Sequence, residues 1–502
     1  MKRLFIKLII LAMVVIVPQS CSDDYLEIYP TSAVSEADVF SNTANTWGAL
    51  NGIHRFLYAQ FQGRQSHAGQ SGFMIQHEMM AEDLVNHTTG NGWFIALHRW
   101  TAHRNDNSWE TFLSWRFYYQ IIGNANMIIT FVDNAEGPSA DKENIKGQAL
   151  AYRAWAYLQL VQTYAKRYDW TAIPNNQLGV PLVLEPTTEG LPRETVENVY
   201  IQINSDLTQA ITLLEGKTPP VAASAGSFKS HITVDIARGI KARVAMAQGD
   251  WPTAAQLANQ ARQGKPLMTP AQLLGGFSDK GNPEFMWVSH VQEDQTTYFY
   301  SFFAYMSWNF SSTNIRQNPK KISLALYNLI SDTDIRKGQF AATAEEARQR
   351  QPATNFAVAA QQSFKFSAAG AADSRGDLCH MRAAELYLIE AEALARQGGQ
   401  DVAARQALYD LISTRDPEYV LSTNSGAALI EEVMTHRRIE LFGEGFRWLD
   451  LKRLNLPLDR NGSNHQSSVA IKMEEPAGSI LWQYLIPREE INANENMVQN
   501  DV

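Results

Sequence analysis

Apolar positions recur at helical spacing over most of the chain, beginning near Ala37. Between Trp109 and Phe131 the set Phe112, Trp115, Tyr119, Ile122, Ala125, Ile128 and Ile129 predicts one long buried helix. A second is predicted from Glu143 to about Tyr164 through Ala151, Ala154, Trp155, Leu158 and Val161, with a proline-punctuated exit from Asp169 to Pro186. A third starts at Thr195 and carries Tyr200, Ile203, Leu207, Ala210, Ile211 and Leu214 on one face. Further on, two segments match at a constant offset of 149, pairing Ala242 with Ala391, Gly249 with Gly398, Ala254 with Ala403, Ala255 with Ala404 and Ala258 with Ala407. Each copy reads as a helix, a tight Gly turn and a second helix. Small residues at the crossing let two antiparallel helices approach closely, and the spacing Ala242, Ala254, Ala261 is that of a tetratricopeptide hairpin. In the second copy Asp410 replaces the last alanine.

The expected fold is therefore mostly α, with tetratricopeptide-like helical hairpins forming a scaffold over about residues 37–61, 109–264 and 380–455 of a single domain, 37–502. Two long stretches break the pattern. Residues 62–108 and 265–379 are irregular and rich in Gly, Ser, Asn and aromatics, with one extended-looking run from Glu284 to Val291. Long irregular segments inside a helical protein are uncommon unless they carry function, so the ligand site is expected there.

The N-terminus has its own pattern. Lys2, Arg3 and Lys7 precede the apolar run Leu8 to Val17, the charged and hydrophobic regions of a secretory signal, and ten apolar residues are too few to cross a bilayer. Pro18-Gln19-Ser20-Cys21 follows and looks like a bacterial lipoprotein cleavage site. Residues 1–20 are read as the signal, Cys21 as the lipidated first residue, and 21–36 as a flexible tether.

Composition narrows the function classes. The chain has 502 residues, 45% hydrophobic and 19% charged, enough for a large core. Its formal charge of −9 becomes −12 without Lys2, Arg3 and Lys7, which argues against nucleic acid as a partner. Two cysteines, Cys21 and Cys379, exclude a disulfide framework and thiolate metal sites. His77-Glu78 begins like a zinc-protease helix, but Ala81 stands where the second histidine is needed. Gly69-Gln-Ser-Gly72 is one residue short of a nucleophile elbow, and Asp332-Thr-Asp334 reads as a cap before Ile335. No catalytic residue, metal or cofactor is assigned. The aromatics are more informative: Trp93 in Asn91-Gly-Trp93-Phe94, and the run from Tyr298 through Tyr300, Tyr305 and Trp308 to Phe310, with Arg316 beyond. A ring exposed on a loop stacks on the C–H face of a sugar while neighbouring amides, carboxylates and guanidinium groups satisfy its hydroxyls.

Several blocks resemble the SusD/RagB family of lipid-anchored nutrient-binding proteins. They are Cys21 to Pro30, Trp115 to Asn126, Ala149 to Val161 with Gly179 to Val183, Arg382 to Ala393, Arg437 to Arg453 and Leu485 to Asn492. The resemblance spans nearly the whole chain and departs from the family over 292–378. It implies a non-enzymatic outer-membrane lipoprotein facing the cell exterior, which captures a glycan and passes it to a SusC-like TonB-dependent transporter. The expected ligand contacts are Asp83, Asn91, Trp93, Tyr298, Tyr300, Trp308 and Arg316. Peptide capture, as in RagB-like relatives, and a helical-barrel glycoside hydrolase are the alternative readings. The Arg437 block reads as scaffold, with Trp448 and Leu449 in the core and the charges pairing around them.

Overall fold

The structure is a computed structural model describing residues 36–218, 229–295 and 297–502; the signal segment, Cys21 and most of the tether lie outside the described residues. The principal helices are α1 (Thr43–Phe56), α2 (Gln70–Met80), α3 (Trp109–Phe131), α4 (Ser139–Tyr164), α5 (Val196–Leu214), α6 (Val234–Gln248), α7 (Trp251–Arg262), α8 (Ala383–Gln397), α9 (Asp401–Ile412), α10 (Gly426–Glu440) and α11 (Arg447–Arg453). From α3 to α9 each helix packs on the next, and α10 packs on α8 and α9. The two expected hairpins are α6–α7 and α8–α9, and α7 lies against α8, so the pairs stack into one continuous row. Starts are local in origin: Ser108, Thr195, Thr233 and Asp250 each accept from an amide of the first turn that follows.

The alanines explain the close stacking. Ala242, Ala254, Ala258 and Ala261 in the first hairpin, and Ala391, Ala404 and Ala407 in the second, are buried; Ala403 is exposed. Gly249 ends α6 at φ 70°, and a Cβ there would lie 2.7 Å from the Trp170 ring, so conformation and space both demand glycine.

Three details differ from the sequence pattern. On α3 the fully buried stripe runs through Leu113, Phe117, Tyr118 and Ile121, while Phe112, Tyr119 and Ile129 are only partly covered, because α3 packs against both α1 and α4 and its covered face is wider than one stripe. The second difference is α2, which occupies the stretch expected to be irregular; every residue from Gln70 to Met80 is buried, so no polar side exists to produce a period. Third, Leu449 is only partly buried, unlike Trp448.

Short strands tie the loop-rich segments together: β1 (Leu84–Asn86), β2 (Phe285–Ser289), β3 (Lys320–Ile322), β4 (Leu378–Arg382), β5 (Leu458–Asp459) and β6 (Glu474–Glu475). They pair antiparallel as β1–β3, β2–β4 and β5–β6. Beside β2–β4 lies a buried charge network. Arg382 reaches Glu284 at 2.7 Å, Glu440 at 2.6 Å and Glu444 at 2.7 Å. Arg415 joins Glu284 at 2.7 Å and Glu440 at 3.1 Å. Arg336 bridges Asp334 and Glu440, and Lys365 meets Glu444 at 2.7 Å. Four cations face four carboxylates, so the buried cluster is neutral. Burial alone would push the Glu440 carboxyl up; Arg415, Arg382 and Arg336 reverse this and hold it well below the usual carboxylate range. Breaking one partner out of such a cluster typically costs about 3 to 5 kcal/mol, because the others are left charged and dry.

Glu78 on α2 is buried without a cation of its own. One oxygen accepts the Gly445 N–H at 2.7 Å and the other has no partner among the described residues. Burial pushes its carboxyl up to about 8, against that hydrogen bond. The folded state thus holds a proton that the unfolded chain releases near its ordinary value of 4.5, so stability from this group is complete below that pH and is lost as pH rises through about 8. Glu78→Gln keeps the acceptor for Gly445 and removes the titration. Its melting temperature relative to the parent should therefore rise steadily from about pH 5 to about pH 8 in thermal melts; a constant difference would show that Glu78 stays ionised.

Candidate functional site

The two loop-rich segments meet through β1–β3 and one asparagine. Asn318 donates to the Asn86 side chain at 2.9 Å and accepts the Thr88 N–H at 3.1 Å. Thr88 Oγ1 in turn donates to the Gln317 carbonyl and accepts from Gly90 N–H, each at 3.0 Å. Gly90 has φ 51°, and a Cβ there would lie 3.1 Å from Asn318 Cβ. The loop carrying Asn91 and Trp93 is thereby held against the short helix Thr313–Gln317.

Between them opens a cleft of about 240 Å3 lined by Gln65, Asn91, Trp93, Phe299, Tyr305 and Asn314, among others. Trp93 packs edge-on to Tyr305 at 5.8 Å, and buried Phe94 does the same at 5.2 Å from its place on the loop. Phe299 is 48% exposed. The Asn314 Nδ2 is buried and has no hydrogen-bond partner among the described residues, and the Tyr305 hydroxyl likewise makes no closed hydrogen bond. Burial pushes the Tyr305 phenol up, with Gln65 opposing, so it stays protonated and able to donate. Rings and polar donors lining one cleft can take a ligand with alternating apolar and hydroxyl surface.

The expected site residues separate into groups. Asn91 and Trp93 line the cleft. Tyr298, 68% exposed with φ 36°, sits beside Phe299 and is fixed by Ser374 donating to its carbonyl. Tyr300 is partly buried near Tyr298 and Arg55; burial pushes its phenol up, with Arg55 opposing. Trp308 does not join them: its indole donates to Ser367 at 2.8 Å and its ring lies 5.3 Å from Phe364, against the small cluster containing Ala341 and Ala347. Arg316 sits on the Thr313–Gln317 helix, where its guanidinium reaches Thr313 and its carbonyl accepts from Ala357 at 2.7 Å. Asp83 corrects the expectation of a ligand contact most clearly. It is 2% exposed, with Arg438 at 2.5 Å and Arg447 at 3.6 Å, and serves to pin its loop to α10 and α11.

Sequence reasoning missed Gln65 and Asn314. Neither carries a periodic or aromatic signal; Asn314 is identified only by its unsatisfied amide once folded. Of the other motifs, His77 stacks on Trp448 at 5.1 Å, and Asp334 caps the turn at Ile335–Gln339. No group of three or more His, Cys, Asp or Glu side chains placed to hold a metal occurs among the described residues, and no described helix is long and apolar enough to cross a membrane.

Residues 59–234 match a SusD-like family model described as starch-binding and associating with the outer membrane, and residues 292–502 match the model of the SusD family, about three quarters of the chain together. No curated protein matches the sequence. Among solved structures, a SusD-like carbohydrate-binding protein from Bacteroides vulgatus is 24% identical, with a TM-score of 0.78 over 91% of this chain and 97% of its own. A SusD superfamily protein from Bacteroides thetaiotaomicron is 21% identical, with a TM-score of 0.77 over 92% and 100%. A laminarin-binding SusD-like protein is 19% identical, with a TM-score of 0.67 over 92% and 99%. The helical row, the strand-tied loops and both family matches agree: the chain belongs to the SusD/RagB family.

Proposed function

We propose that the protein captures a glycan in the Trp93–Phe299 cleft and delivers it, without cleaving it, to a SusC-like TonB-dependent transporter in the outer membrane. The observation that carries this reading is the cleft itself, lined by the rings of Trp93 and Phe299, the unpaired amide nitrogen of Asn314 and the phenol of Tyr305, which Gln65 faces. A sugar ring presents an apolar C–H face to an aromatic and hydroxyls to its edge, the pattern these groups match. Tyr298 and Tyr300 flank Phe299 in the sequence and would offer further rings to a longer chain. Asn91 and Gln65 supply additional polar contacts. The family model's description as starch-binding supports the ligand class and the outer-membrane setting.

Lipidation at Cys21, with residues 21–36 as the tether, would hold the cleft on the exterior face of that membrane. Cys21→Ala should release the protein from the outer-membrane fraction into soluble material; complete retention after detergent extraction would refute the anchor.

Truncating an aromatic at the centre of a binding site costs roughly 1 to 3 kcal/mol, about five- to 150-fold in affinity. Trp93→Ala and Phe299→Ala should each show a loss of that size in calorimetry across a panel of soluble polysaccharides. Trp308→Ala should lower the melting temperature and leave affinity unchanged. Unchanged binding in the first pair, or binding lost in Trp308→Ala without destabilisation, would move the site elsewhere.

A further inference from the structure

A second cleft, of about 350 Å3, lies on another part of the molecule, where the exit of α4 meets the end of α11 and the segment around Trp482. It shares no lining residue with the aromatic cleft. Its charged lining is unbalanced. Lys166, Arg167 and Lys452 line it against a single carboxylate, Asp169, which pairs with Arg167 at 3.0 Å. In a chain of net charge −9 this is a local excess of positive charge.

Lys452 is the unusual member. It is 6% exposed, and among the described residues no carboxylate lies within 4.0 Å of its ammonium. Its polar contact is the main-chain carbonyl of Gln162 at 2.5 Å, and the ammonium sits 5.1 Å from the centroid of the Trp448 ring. An ammonium has three donors, so two remain. The other buried cations of α10 and α11 behave differently: Arg437 and Arg453 both pair with Asp450, at 2.7 and 2.8 Å, and Arg453 also with Glu392. A buried cation left unpaired is costly unless something else neutralises it, and burial pushes the Lys452 ammonium down to about 7.

We propose that this cleft is a second ligand site, which takes a monosaccharide-sized ligand bearing a carboxylate, with the anionic group between Lys452 and the rim cations Lys166 and Arg167. The volume is at the small end of ligand pockets and suits a single sugar unit. The carboxylate supplies the counter-charge the fold withholds from Lys452. Asn455, at φ 54°, and Gly478 form the opposite rim, close enough that a Cβ on Gly478 would lie 3.1 Å from the Asn455 side-chain oxygen. This site does not rest on the aromatic-cleft reading, since the lining, the charge and the ligand chemistry all differ.

The test is titration of the full-length protein with sodium glucuronate and, in parallel, glucose, followed by calorimetry or ligand-observed NMR. Glucuronate should bind saturably and glucose should not. Losing one charge-assisted hydrogen bond corresponds to roughly a tenfold or greater loss, so Lys452→Met should weaken glucuronate by at least that factor. Lys166→Glu, on the exposed rim where folding is not at stake, should weaken it as well. Trp93→Ala should leave it unchanged. No saturable glucuronate binding, equal binding of glucose, parental affinity in Lys452→Met and Lys166→Glu, or loss of binding in Trp93→Ala would each overturn the proposal.

Discussion

Glu440 is the residue around which the charged interior is organised. Its carboxylate faces Arg336, Arg382 and Arg415 at once, and its carbonyl accepts from both Arg382 and Lys365. Buried ions are costly individually and become tolerable only when every partner is present, so such a cluster works as an all-or-none rivet. Its partners come from distant parts of the chain: Glu284 before β2, Arg382 at the end of β4, Arg415 after α9, and Asp334 and Lys365 from the second loop-rich segment. The same block of α10, the turn after it and α11 also grips the first loop-rich segment. Arg438 and Arg447 pair with Asp83 and Glu82, and Gly445 donates to Glu78. Both walls of the aromatic cleft are thus fastened to one charged element, and the glycan reading depends on that fastening.

The helical row is a separate achievement of the sequence. It stacks on alanines and aromatic stripes, is cross-linked by ion pairs such as Arg153–Asp206, Arg243–Glu385 and Arg262–Glu390, and supplies a rigid support. Loops are free to vary their rings and amides when the scaffold holds their ends. The fold persists while the sequence changes: the solved structures compared are 15% to 24% identical to this chain, with TM-scores of 0.65 to 0.78.

Much of the row was legible because a helix with one wet side prints its period on the sequence. The caps at Thr195 and the hairpin alanines are examples. What was not legible has physical reasons. The α2 helix is enclosed on every side, so His77, Glu78 and Gln76 lie buried where polar residues would ordinarily mark a surface. In the run Tyr298 to Phe310 aromatics are so dense that no period separates the exposed Phe299 from the buried Phe302, or the cleft-facing Tyr305 from Trp308, which is bound to Ser367. The resemblance implies a ligand contact at Asp83, and nothing in the local sequence signals Arg438, 355 positions away, or the still more distant Arg447 that claim its carboxylate.

The central claim, that ion pairs from the α10–α11 block hold the cleft's loops in place, is most directly tested by hydrogen–deuterium exchange on the parent and on Arg438→Gln. Removing that guanidinium leaves Asp83 buried with only Arg447 at 3.6 Å. Exchange should then accelerate at the amides of residues 83–95, which carry Asn91 and Trp93, while α4 to α8 keep their protection. Unchanged exchange over 83–95, or a uniform loss of protection along the whole chain, would contradict it.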